Sequence, residues 1–157
     1  MAGRRSAKAV EVTEKPTEEK IIDISQFFSR ENEMEGIWFE PEVNNKPTGI
    51  EFKVFGPSSS AASRANDFYN KENEVIQSIK DEGEKMTKIY EVLARQTAMM
   101  IGDVRVKGGG KLMWNRNEVV KENDEQFEDL MTDILFNSPL MAVSVIKFTR
   151  TQENFLG

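Results

Sequence analysis

The chain contains no cysteine and no histidine. Without a thiol or an imidazole there is no disulfide, no thiolate or imidazole zinc site, no iron–sulfur ligation, and no Ser-His-Asp or Cys-His nucleophile pair. Long apolar runs are missing as well. No stretch approaches the roughly 18–20 residues that span a bilayer, and no apolar block of the kind a secretory signal carries follows the arginines of MAGRRSAKAVEV. Basic residues are outnumbered, 21 Lys and Arg against 27 Asp and Glu, for a formal charge of −6. Neither nucleic acid nor a membrane surface is therefore an expected partner. These absences leave binding, scaffolding or carboxylate-only chemistry, and lack of cysteine fits a reducing cytoplasm.

What is present suffices for one globular domain: 157 residues, 38% apolar and 31% charged. Residues 1–20 hold no aromatic residue, and their bases nearly balance their acids, so they bury too little to offset their ordering entropy and read as a disordered arm. The remaining 21–157 read as a single α+β domain. Its first apolar group, Ile21, Ile22, Ile24, Phe27 and Phe28, has mixed spacing that suits a helical turn or an edge strand.

From Gly36 the pattern becomes extended. Ile50, Phe52 and Val54 alternate with Glu51 and Lys53, the mark of a half-buried strand, and Ile37-Trp38-Phe39 precedes it across a loop rich in Asn and Pro. A β-hairpin over about 36–55 follows, one that must pack on helices because a lone hairpin is marginal in water. Gly56-Pro57 ends the strand and the serines at 58–60 supply a helix cap. Apolar residues then recur at helical spacing over about 58–102, with a bend or break expected around Asp81 to Gly83. A polar connection over 103–121 follows, in which Val104 and Val106 face Leu112 and Trp114 across Gly108-Gly109-Gly110 as a small second hairpin. Asn123 with Gln126 opens a helix over about 123–136, and Pro139 stands at the first position of a last helix over about 139–151. That last helix is apolar nearly all round, which predicts burial in the domain or in an oligomer. The fold expected is thus α+β and predominantly helical, with an N-terminal β-hairpin packed on three or four helices.

Charge is concentrated. Between Asn117 and Asn137, Glu118, Glu122, Asp124, Glu125, Glu128, Asp129 and Asp133 stand against Lys121 alone, while the rest of the chain balances. This acidic face is either simply solvated or a docking surface for a basic or helical partner. Helical spacing puts Glu125, Asp129 and Asp133 on one face, the only arrangement suited to acid–base work or to a divalent cation, but neither a calcium-loop pattern nor Glu-x-x-His accompanies it. Gly108-Gly109-Gly110-Lys111 lacks the hydroxyl residue a phosphate loop needs after its lysine, and Ser58 to Ser60 lack an activating base. Trp38, Trp114, Phe39, Phe52 and Phe55 are assigned to core packing, and so are the methionines, although Met-rich sets also recur on adaptable binding surfaces. No cofactor is expected.

The order of features resembles the small tail assembly chaperones of long-tailed bacteriophages. The likeness covers about residues 34–157: Gly36-Ile37-Trp38-Phe39-Glu40, Gly49-Ile50-Glu51-Phe52-Lys53-Val54, a polar helix, Ala98-Met99-Met100-Ile101-Gly102, a glycine-bearing connection, the acidic helix, and Asn137-Ser138-Pro139-Leu140 through Asn154-Phe155-Leu156. Asp103 stands where that family often carries a tryptophan. The resemblance implies a largely helical protein that coats the tape measure protein and recruits tail tube protein in the host bacterial cytoplasm, without an active site. A structural virion component, either a head–tail connector or a minor tail protein, is the alternative, and a hydrolase using Glu125, Asp129 and Asp133 a third reading. A homo-oligomer is compatible with the apolar last helix. The positions assigned to partner binding are Glu125, Glu128, Asp129, Leu130, Ile134, Val143 and Ile146.

Overall fold

A computed structural model describes residues 18–157, so most of the expected arm at 1–20 lies outside the described residues. The described chain is mixed α and β. A 3-10 turn at Ile24–Phe27 leads into α1 (Arg30–Glu35), then β1 (Ile37–Phe39), β2 (Glu42–Val43), β3 (Lys46–Pro47) and β4 (Ile50–Val54). Two long helices follow, α2 (Ser60–Ser78) and α3 (Glu82–Met99), then β5 (Ile101–Val106), β6 (Met113–Trp114), β7 (Asn117–Glu118), α4 (Asp124–Phe136), α5 (Pro139–Thr149) and a closing 3-10 turn at Gln152–Phe155.

The expected hairpin is present, with two elaborations. β1 pairs antiparallel with β4, Trp38 opposite Lys53, and the loop between them folds into its own two-residue ladder, β2 with β3. Asn44 and Asn45 both take positive φ there, 56° and 61°, the left-handed geometry a tight hairpin turn demands and asparagine tolerates. The sheet then gains a third strand, because β5 pairs along the free edge of β4. This corrects the reading of 103–121: Val104 and Val106 lie opposite Phe52 and Ile50, not Trp114 and Leu112. The small hairpin there is β6 with β7, turning on Asn115 and Arg116 at positive φ. In β5, Gly102 is an extra residue between the Val54–Ile101 and Lys53–Asp103 pairs, a bulge. A Cβ on Gly102 would run into the Phe55 ring.

The break in the long helical region falls at Ile79 to Asp81. Asp81 caps α3 by accepting the Glu84 N–H at 2.9 Å, and Gly83 sits inside the first turn. The two helices run back along each other as a hairpin held by a Lys88–Glu72 ion pair at 2.7 Å. Ser59 caps α2 and Asn123 caps α4, each accepting the N–H three residues on. Pro139 opens α5.

One face of the sheet supplies Phe52 and Val54 to a core completed by Ala94 and Ala98 of α3, Phe127, Met131 and Leu135 of α4, and Ala142 and Val145 of α5. Phe39 stacks on Phe148 at 4.0 Å between centroids, and Phe155 packs against Phe148 at 5.7 Å, so the closing turn is part of this core. The alternation predicted for β4 is realised. The assignment of both tryptophans to the core is not: Trp38 lies half-exposed on the outer sheet face beneath the Arg105 guanidinium, 3.8 Å from its ring, and Trp114 lies half-exposed with its indole N–H donated to Asp133.

Candidate docking surface

The acidic stretch is built on α4 and is far less open than its composition suggests. Glu128, half-buried, accepts from Arg64 of α2 and from Arg95 of α3, both at 3.2 Å, and Asp129 accepts from Arg95 at 2.7 Å. One carboxylate thus ties both arms of the α2–α3 hairpin to α4. Burial opposes the Arg95 charge, but the bonds to Asp129 and Glu128 outweigh it and hold its pKa above the usual arginine value. Lys121 pairs with Asp124 at 3.1 Å and donates to the Gly102 carbonyl at 2.6 Å. Glu118, Glu122 and Glu125 are left exposed with no ion pair among the described residues.

Glu125, Asp129 and Asp133 do not converge. Asp129 is engaged by Arg95 and Asp133 by Trp114, and among the described residues no group of three or more acids stands close enough to share a metal ion.

Of the apolar positions assigned to binding, only Val143 is free. Leu130 and Ile134 are half-buried against the main core, and Ile146 is 7% exposed, lining a small cavity of about 110 Å³ with Ala62, Ala65 and Met100. Those three pack inward, because α4 and α5 each turn their regular apolar stripe onto the sheet and α3. The last helix is also not covered all round. Leu140 is 58% exposed and Val143 42%, three residues apart and so on one face. Phe136, at the end of α4, is exposed as well. The described methionines divide: Met100 and Met131 are buried, Met99 and Met141 half-buried, and Met34, Met86 and Met113 exposed.

Sequence reasoning missed two exposed apolar features. Leu140 belongs to the last helix, for which the sequence predicts burial nearly all round, yet it stands in solvent. The group Ile21, Ile22, Ile24, Phe27 and Phe28 stands in solvent, each side chain at least 61% exposed. Its mixed spacing is the signal that was available: these side chains follow neither a helical nor a strand period, so no regular element carries them into the core of their own chain.

Comparison of the chain with protein families, with curated proteins and with solved structures finds no match. Among the described residues no single helix is long and apolar enough to cross a membrane.

Proposed function

We propose that this protein is a non-enzymatic binding protein of the phage tail assembly chaperone type. It holds the tape measure protein and brings tail tube subunits to it during tail morphogenesis in the host bacterial cytoplasm. The observation that carries this reading is the open face of α5, where Leu140 and Val143 stand in solvent while Ala142, Val145 and Ile146 anchor the same helix in the core. A rigid helix presenting a short apolar stripe suits helix-on-helix recognition of a long helical client, in which many weak contacts along its length replace one tight site. The exposed carboxylate of Glu125 on the neighbouring α4 adds preference for a client with basic side chains beside its apolar stripe.

The test is direct binding between the purified chain and the tape measure and tube proteins encoded beside its gene. Capture of the tape measure protein is expected, reduced at least tenfold by Leu140→Asp combined with Val143→Asp. Those substitutions fall on exposed side chains and are expected to leave the far-UV circular dichroism unchanged. No association with either product overturns the reading. Recovery of the chain in stoichiometric amounts from mature particles also overturns it, in favour of a structural virion component.

A further inference from the structure

We propose that residues Ile21–Phe28 form an exchange arm that docks on a second copy of this chain, seating its isoleucines and phenylalanines in that copy's α2–α3 groove. The segment is the densest exposed apolar stretch among the described residues. Five large side chains within eight residues are 61–88% exposed, presenting on the order of 500 Å² of apolar surface, as much as the largest patch on a typical monomer.

The segment is shaped before it binds. Asp23 accepts from both the backbone N–H and the hydroxyl of Ser25, at 3.0 and 2.7 Å, and caps the 3-10 turn at Ile24–Phe27. The three-residue period of that turn sets Ile24 and Phe27 on one side. At its far end the Phe28 carbonyl accepts the Gly157 N–H at 3.2 Å, fixing where the arm leaves the body. Part of the ordering entropy that binding would otherwise cost is therefore already spent.

The groove offers an apolar floor and the complementary charge. It is open, about 360 Å³, and its apolar lining comes from Tyr69 and Ile76 of α2 with Ile89, Val92 and Leu93 of α3. Its charged lining is Lys85 and Arg150, with no acid, and neither cation makes an ion pair among the described residues. The arm carries the opposite sign: Glu18, Glu19 and Asp23 flank its apolar residues against Lys20 alone. Within one chain the arm is not seated on this groove, since all five of its apolar side chains remain in solvent. Two arms seated reciprocally take on the order of 1,000 Å² of their own apolar surface out of water, about the area at which a specific interface begins.

The absence of native cysteine makes the pairing readable by disulfide trapping. Phe27→Cys and Ile89→Cys are made as single variants and oxidised separately and as an equimolar mixture. The mixture is expected to give several-fold more linked dimer than either variant alone. Light scattering of the full chain is expected to give a dimer, and Phe27→Asp combined with Phe28→Asp a monomer with unchanged circular dichroism. The proposal is overturned by a full chain that stays monomeric up to its solubility limit. It is equally overturned by a dimer that survives the aspartate pair, or by a Phe27→Cys/Ile89→Cys double variant whose link closes within one chain. A monomeric chain whose capture of the tape measure protein is abolished by the aspartate pair assigns the arm to the client, which overturns exchange and leaves the proposed function standing. A dimer with no client binding does the reverse.

Discussion

The carboxylate of Glu33, fully buried, accepts the backbone N–H of Ser58 at 2.7 Å. It also accepts the Ser29 hydroxyl at 2.7 Å and the Gln152 amide at 3.0 Å, while the Glu33 carbonyl takes the Gly56 N–H. One side chain therefore joins α1, the strand-to-helix loop after β4, and the closing turn of the chain. Burial disfavours its charge, but the hydrogen bonds from Ser29, Gln152 and Ser58 prevail and its pKa lies below the ordinary 4.5. Replacing Glu33 with alanine strands those donors and is expected to cost about 2–4 kcal/mol, read from urea unfolding at pH 7.

The same depressed pKa sets a pH dependence. A group more acidic in the folded than in the unfolded state contributes stability that is fully present above the unfolded value near 4.5 and is lost as pH falls through the lower folded value. Urea midpoints measured downward from pH 7 are expected to hold until about pH 5 and then drop. Glu33→Gln, less stable at pH 7, is expected to fall less steeply over the acid range. Parallel curves for the two proteins would remove Glu33 from the acid-sensitive set.

Gly56 and Glu33 are coupled through space. A Cβ built on Gly56 collides with the Glu33 side chain, so Gly56→Ala is expected to destabilise by about 1–3 kcal/mol. Adding Glu33→Ala vacates the colliding atoms. The double variant is then expected to be more stable than the sum of the singles predicts, by about 0.5–3 kcal/mol in a double-mutant cycle.

The acids of α4 separate by charge reversal. Glu128→Arg removes the shared partner of Arg64 and Arg95 and adds a third cation beside them, with an expected loss of about 1–2 kcal/mol that shrinks with added salt. Glu125→Arg, on an exposed and unpaired side chain, is expected to stay within about 0.5 kcal/mol of wild type. Thermal unfolding at low and high ionic strength measures both. Glu125 is consequently the clean position for testing client charge, and Glu128 is not.

The turn between β2 and β3 gives a backbone test. Asn45 has φ of 61°, a conformation that a β-branched residue adopts only with strain. Asn45→Val is expected to cost about 1–2 kcal/mol, and Asn45→Gly to be neutral or slightly stabilising, read from the unfolding midpoint.

Much of the fold was legible because it rests on neighbours in sequence. The alternation of Ile50, Phe52 and Val54, the caps Ser59 and Asn123, and Pro139 at the start of α5 all act within a few residues, and each sits where expected. The break between α2 and α3 was also marked, although Asp81 rather than Gly83 makes it. The exposure of the positions assigned to binding was legible only in part. Val143 is exposed as a binding position requires, but Leu130, Ile134 and Ile146 show the same apolar helical period whether they face a client or the core.

By itself the sequence determined where the strand β4 and the four long helices lie, where several of them stop, and that the chain carries neither imidazole nor thiol, because these follow from residue type and short-range periodicity. Only the tertiary structure decided that β5 completes the sheet about fifty residues away from its partner β4, and that Arg64 and Arg95 meet on Glu128. It also decided that Ile21–Phe28 and Leu140 stay in solvent. Pairing, neutralisation and exposure depend on what arrives from distant parts of the chain, and no local spacing encodes the arrival.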